Sequence, residues 1–335
     1  METLIEPHFI RDYDVRETVL SPIVRRLSFT TQEGVGALWL ASLYPGVEVW
    51  YIDFHLPALK IEAPLPYHYL KLNYCFSGRC EVRLPNDRYV YLNSGRLSLD
   101  TNPQMDSMRM PGGEYIGLEL VIDLTKITAD SPAAWAECGV RTADIAARLR
   151  ERQGSYLTQA APLWEQPARE LAGHLRAADL ALSDYRYRVL QLLWLLKQRP
   201  AAPDGALVFL TPGQRAAALR AQALVTQDLR RHYLITDLAA AAGVSPASLK
   251  KHFAQVYGKP ISVYLRDCRV ERAKALLARG TLRIADVAGE VGYENQGKFG
   301  VMFRQQTGQT PLEYRRLHRS DRFAEANQFE SEERT

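Results

Sequence analysis

Between Ile235 and Arg316 the chain sets down one pattern twice. The first copy runs from Ile235 through an alanine-rich stretch to Gly243 and Ser245, then on to Leu249 and Phe253. The second runs from Ile284 to Gly292 and Asn295, then on to Phe299 and Phe303. Ile235, Leu238, Ala239 and Ala242 make an apolar stripe at helical period, and Ile284, Val287, Ala288 and Val291 repeat it. Gly243 and Gly292 stand where a tight turn asks for positive φ, which glycine adopts without a steric penalty. Ser245 and Asn295 then read as N-caps of a second helix, and Pro246 suits its first position. The spacing predicts two helix-turn-helix pairs.

In each second helix the pairs Leu249 with Phe253 and Phe299 with Phe303 point inward. The remaining positions make the outward face: Ala247, Ser248, Lys250, Lys251 and His252 in the first copy, Gln296, Gly297, Lys298, Val301 and Arg304 in the second. A helix with that face suits the major groove of double-stranded DNA. There Lys and Arg bond guanine, Gln bonds adenine, and small or apolar groups touch the thymine methyl. The plainer reading of one copy is a helical hairpin with a solvated face; two copies with matching caps argue against it. Pro260 to Gly280 predicts a connecting helix of about 17 residues, roughly 25 Å long. With the flanking helices this places the two reading faces near one DNA turn apart, about 34 Å. Charge agrees: Arg215 to Arg319 holds 18 Lys and Arg against 8 Asp and Glu, a net of +10, while the whole chain is +4 and the rest therefore −6. Phosphate contact requires such a concentration.

These residues resemble the AraC/XylS class of bacterial transcription regulators, over about the last third of the chain. The likeness lies in Leu238 to Gly243, Ser245, Leu249, Phe253, Gly258, Tyr264-Leu265, Arg269, Ala273, Leu276-Leu277, Ile284-Ala285, Val287-Ala288, Gly292-Tyr293, Phe299, Phe303, Gly308, Thr310-Pro311 and Tyr314-Arg315. The resemblance implies a two-motif domain acting at promoters, usually as an activator, with RNA polymerase as a partner and effector sensing elsewhere in the chain. Gly297 and Gly300 depart from the class, because each glycine inside a helix costs about 1 kcal/mol relative to alanine.

The first 125 residues predict β structure. Leu70, Leu72, Tyr74 and Phe76 alternate onto one face, Ser77-Gly78 reads as a turn, and further strands are expected at Arg79–Leu84, Arg88–Leu92, Arg96–Asp100 and Glu114–Ile122. Trp39 and Val47–Phe54 add earlier ones. Short strands joined by hairpins argue for a small barrel or sandwich. Before this DNA-binding module such a domain is similar to the cupin-like sensor barrels of the same class, an architectural likeness only. Trp39, Trp50, Tyr51, Tyr69 and Tyr74 are the candidate walls of a pocket for a small organic effector, with Tyr89 and Tyr91 beside them. Packing of the core is the alternative role for each. His8, His55 and His68 lack the paired spacing of a metal site, so neither a metal nor a cofactor is expected, and no enzymatic nucleophile motif appears.

Residues 126–198 predict a helical appendage: a capped helix from Thr142, a second over Pro167–Ala178 and a third over Tyr185–Gln198. The third is too apolar for a solvated rod and must cover the β domain or a second copy of the chain; the resemblance implies a homodimer. Residues 199–210 read as a linker, 211–320 as the DNA-binding domain, and 321–335 as a disordered acidic tail. The fold expected is therefore α+β, a cupin-like β sensor domain with a helical appendage before an all-α domain. Cys75, Cys80, Cys138 and Cys268 lack CxxC spacing and fit a reducing compartment, although a Cys75–Cys80 redox pair is conceivable. Without a signal peptide or a span of about 20 apolar residues, the expected place is the cytoplasm, away from membranes. Two rivals remain open at this point: a ligand-independent DNA binder, and a cupin-like enzyme carrying a DNA-binding appendage.

Overall fold

The computed structural model describes residues 13–60, 69–83, 87–100, 107–127, 132–151, 155–160, 162–198 and 209–318. The chain divides into two compact units, 1–212 and 213–335.

The first unit is built on antiparallel strands β1 (Val15–Val19), β2 (Val24–Thr30), β3 (Val35–Tyr44), β4 (Val47–His55), β5 (Ala58–Lys60), β6 (Tyr69–Arg83), β7 (Tyr89–Asn93), β8 (Arg96–Asp100), β9 (Ser107–Arg109) and β10 (Tyr115–Asp123). Three elements follow before α3: α1 (Ala133–Glu137), α2 (Thr142–Glu151) and β11 (Ser155–Gln159). Then come α3 (Pro162–Ala177) and α4 (Leu182–Gln198). Nine strands form one sheet in the order β1-β2-β3-β4-β10-β6-β8-β11, with β7 on β6, and β5 pairs β9 apart from it. β11 lies inside the segment expected to be wholly helical, and pairs with β8.

Both faces of the central strands are buried. Val49, Tyr51, Leu72, Tyr74, Leu118 and Leu120 share one core with Trp164, Leu171, Tyr185, Val189 and Leu193 of α3 and α4. Trp50, Ile52, Phe54, Cys75, Tyr115 and Val121 belong to the other core. The helices are thus part of this unit's core, and α4 buries Tyr185, Val189, Leu192 and Leu193 in it. Trp164 Nε1 donates to the Leu192 carbonyl at 3.1 Å, and Tyr185 Oη to that of His174 at 2.8 Å, so buried polar tips are satisfied as the helices close on each other.

The hairpin expected at Ser77-Gly78 does not form. β6 runs on through it, and the register against β10 shifts between Ile116 and Gly117. Gly78 has φ +78, and a Cβ there would come within 2.1 Å of the Glu114 carbonyl oxygen. The bulge falls at Phe76, and Gly78, still paired with Tyr115, marks the point where β6 changes partners from β10 to β7, and not a reversal. Cys75 and Cys80 lie on either side as free, buried thiols, whose burial pushes the Cys75 thiol up to about 12 and that of Cys80 higher still. Thiolate character is suppressed there.

The second unit is helical: α5 (Pro212–Gln227), α6 (Ile235–Ala242), α7 (Pro246–Tyr257), α8 (Ile261–Arg279), α9 (Ile284–Glu290) and α10 (Gln296–Thr307), with a further helical turn over 311–318. Leu210, in the span expected to be a linker, pairs with Tyr89 through two backbone hydrogen bonds of 2.9 and 2.8 Å. The acidic tail lies outside the described residues, as do Leu84 and most of residues 199–210. Among the described residues no helix is long and apolar enough to cross a membrane.

Candidate nucleic-acid interface

The repeated pattern folds into two helix pairs, α6 with α7 and α9 with α10. In the first, Gly243 closes α6 at φ +71 and Ser245 Oγ accepts from the Ser248 amide at 3.2 Å. In the second, Gly292 sits at φ +78 and Asn295 Oδ1 accepts from the Lys298 amide at 3.0 Å. Each cap satisfies an amide that the first helical turn leaves without a partner. Leu249, Phe253 and Val256 are buried on α7, and Phe299, Met302 and Phe303 on α10. These inward positions orient what is left.

Ala247, Lys250 and Lys251 are exposed on α7, with Ser248 half-buried in the cap; Gln296, Gly297, Lys298, Val301 and Arg304 are exposed on α10. His252 is a correction. It is only 8% exposed and joins Leu249, Phe253, Val256 and Tyr257 on the inner stripe, three residues after Leu249 and four before Val256. Burial first, and the Lys251 charge second, hold its imidazole below the ordinary histidine value, and its Nδ1 has no hydrogen-bond partner.

Several cations elsewhere in the unit are paired with carboxylates. Arg230 is bonded to Glu290, Lys259 to Asp267, Lys274 to Glu271 and Arg283 to Asp286. Among the described residues Lys250, Lys251, Lys298 and Arg304 make no ion pair. Exposed cations outside any ion pair, on two capped helices, are what an approaching polyanion would meet. Arg266, which the outward-face reasoning did not reach because it sits on the connecting helix, is also exposed and without an ion pair. It lines a cleft of about 510 Å³ together with Lys250, Ile261, Leu265 and Tyr293.

The five aromatic residues expected around one effector pocket are divided between the two faces of the sheet. Trp39, Tyr51 and Tyr74 lie on the helix-covered face. Arg26 stacks on Trp39 at 5.0 Å and Arg176 on Tyr51 at 5.3 Å, while Tyr74 meets Trp164 at 4.9 Å. Tyr51 and Tyr74 are buried there and Trp39 is half-buried. Trp50 and Tyr69 lie on the opposite face. The division follows from strand geometry, since adjacent residues such as Trp50 and Tyr51 point to opposite sides.

On the side of Trp50 the sheet carries polar groups. Lys71 Nζ stands 3.4 Å from Glu119 Oε1, and Tyr115 Oη donates to Asn73 Oδ1. Trp50 Nε1 donates to the buried Glu48 at 2.9 Å. Burial opposes the charge on Lys71, but Glu119 and then Asp100 outweigh it and hold the ammonium above its ordinary value. The signal was present as Lys71 and Asn73 between apolar neighbours, on the strand's second buried face. Among the described residues no group of three or more metal-ligating side chains is gathered.

Two capped helix pairs with basic side chains exposed on their second helices define a helix-turn-helix unit. Comparison with known families agrees: a model described as a helix-turn-helix domain matches residues 238–317. Two transcriptional activators named RhaR are similar. That of Yersinia pseudotuberculosis serotype O:1b is 31% identical over 159 residues, 48% of this chain and 53% of the relative. That of Escherichia coli O1:K1 / APEC is 34% identical over 91 residues, 27% of this chain and 32% of the relative. The chain thus spans about half the length of the Yersinia protein and a third of the other. A solved regulator with an AraC-type DNA-binding domain from Chromobacterium violaceum is 25% identical, covering 32% of this chain and 95% of that one at a TM-score of 0.30. The chain thus carries a helix-turn-helix domain over residues 238–317 and is similar over part of its length to the RhaR activators.

Proposed function

We propose that this chain regulates transcription by gripping promoter DNA with α7 and α10, under the control of a small organic effector held by the N-terminal unit. The observation that carries the reading is the set of unpaired basic side chains on the exposed faces of two equivalent, side-chain-capped helices. Lys250 and Lys251 on one helix, and Lys298 and Arg304 on the other, supply phosphate and guanine contacts; Gln296 suits adenine, and Ala247 and Val301 suit the thymine methyl. Ser248 and Gly297, beside the caps, let the helix N-termini approach the backbone of the duplex.

The effector is assigned to the cupin-like sheet's second face, where Trp50 and Tyr69 share a side with Lys71, Asn73, Tyr115 and Glu119. An apolar wall with a few convergent polar groups suits a small organic molecule. Effector binding alters the relation between the two units, and homodimerisation through α4 sets two such grips side by side. RNA polymerase is the partner at the promoter, and the relatives' designation as activators supports stimulation as the direction.

The test is equilibrium binding of the full chain to promoter duplexes across a salt series. Lys250→Ala and Lys298→Ala are each expected to cost about 1–3 kcal/mol, and each lost phosphate contact should lower the salt slope by about one. Trp50→Ala should change the effector response and spare basal affinity. Equal affinity and equal salt slope for wild type and the double lysine variant on every duplex would sink the reading.

A further inference from the structure

We propose that Arg269 is the positioning residue that holds the two reading helices at one fixed spacing, an inference that rests on the DNA-binding reading above. Arg269 lies on α8, between the two helix pairs, and is 8% exposed. Its Nε donates to the Leu229 carbonyl at 2.9 Å and its Nη2 to the Arg231 carbonyl at 3.0 Å. Both carbonyls belong to the loop that launches α6, the start of the first pair. The same guanidinium stands 5.6 Å from the centre of the Tyr293 ring, in the turn of the second pair. One side chain therefore engages both modules.

Two further observations place the modules directly together there. A Cβ on Gly292 would come within 2.7 Å of Arg269 Nη2, 2.7 Å of the Leu229 oxygen and 2.8 Å of the Arg230 oxygen. The launching loop thus lies against the second turn, with no room for a side chain between them. On the outer edge Arg230 Nη2 donates to both carboxylate oxygens of Glu290, at 2.7 and 2.6 Å, at the end of α9. That exposed pair contributes little by itself. The buried fork is the stronger tie.

α8 packs on the first pair through Tyr264, whose ring meets Phe253 and Tyr257, and on the second through Val270, Ala273, Leu276 and Leu277. The Arg269 clamp adds to this packing a direct tie from the first loop to the second turn, which limits how far either pair can turn about the connecting helix. When two reading helices bind one duplex, the second contact is intramolecular, and its effective concentration depends on how rigidly the two are held. Only the planar fork of arginine reaches two carbonyls while stacking on a ring; the single ammonium of lysine does not.

The experiment uses the full chain and the duplex that it enriches from a random-sequence library. Three derivatives of that duplex are compared: intact, with one half-site scrambled, and with two base pairs inserted between the half-sites. Wild type is expected to bind the intact duplex at least about tenfold more tightly than either derivative. Arg269→Lys should bind the one-half-site duplex within about twofold of wild type, yet lose most of the intact-site advantage and most of the penalty for the insertion. Tyr293→Leu, which removes the ring from the second module's side of the clamp and keeps an apolar group against Phe299, should move in the same direction and serves if the lysine variant melts below the assay temperature. A spacing profile unchanged from wild type, or one uniform loss on all three duplexes, overturns the positioning role. A wild-type chain that enriches no sequence overturns the DNA-binding reading itself, and the clamp with it.

Discussion

Gly243 and Gly292 occupy equivalent turns, yet an added methyl group would meet different surroundings. At Gly243 nothing lies within 4 Å of the Cβ position, so alanine there pays only for its left-handed backbone, about 1–2 kcal/mol. At Gly292 the same methyl would strike Arg269 and two carbonyl oxygens, which adds overpacking and brings the cost to about 3 kcal/mol or more. Denaturation of the two alanine variants checks this; equal losses would show that the second turn is as open as the first. His252 supplies a pH signature. Its folded value lies below 6.5, so as the pH falls the unfolded chain takes up the proton first. The stability it contributes is present above pH 6.5 and is lost as the pH drops through the lowered folded value. Wild type should therefore lose more stability between about pH 7 and pH 5 than His252→Gln, in paired melting curves. An identical decline in both would acquit the imidazole.

At the scale of elements, β6 and α4 each face two environments. β6 buries Leu72 and Tyr74 under the helices and Tyr69 and Cys75 on the opposite side, with Lys71 and Asn73 half-buried there, so its alternation separates two cores and not core from solvent. Lys71→Met leaves Glu119 buried without its cation and should cost about 3–5 kcal/mol in urea unfolding. Lys71→Met combined with Glu119→Gln should recover much of that loss, since the carboxylate nearest the vacated ammonium is then neutral; a larger loss in the double variant would count against the ion pair as the cause. α4 buries Val189 and Leu193 but leaves Tyr187 66% and Trp194 42% exposed, and Leu163 of α3 60% exposed. Stable interfaces cover about 800 Å² on each partner around aromatic anchors. If a second copy covers this face, Tyr187→Glu with Trp194→Glu should convert a dimer into a folded monomer by light scattering. An unchanged mass would send the search for the interface elsewhere.

Across the whole molecule, what was legible in the sequence was whatever depends on near neighbours along the chain. The helix pairs of the second unit were readable because glycine turns, Ser245 and Asn295 caps and a 3.6-residue stripe all act within a few positions, and the outward Lys250 and Lys298 follow once the inward Leu249 and Phe299 are known. His252 was misplaced although its spacing from Leu249 and Val256 pointed inward, because a polar residue was taken as a sign of solvent. In the first unit, alternation located most strands, but a strand buried on both faces has no solvent side to show. The passage of β6 through Ser77-Gly78, the pairing of β11 with β8 and the division of Trp50 from Tyr51 between two cores were therefore settled by tertiary packing. The same holds for Arg269. Its partners Leu229, Arg231 and Tyr293 lie 40, 38 and 24 residues away along the chain, and only folding brings their carbonyls and ring around one guanidinium. Sequence by itself determined the local helices and their capped, basic faces, since those rest on short-range sterics and hydrogen bonding. Which surfaces meet, and what is buried between them, was decided by the tertiary structure, because burial is a property of elements brought together from distant parts of the chain.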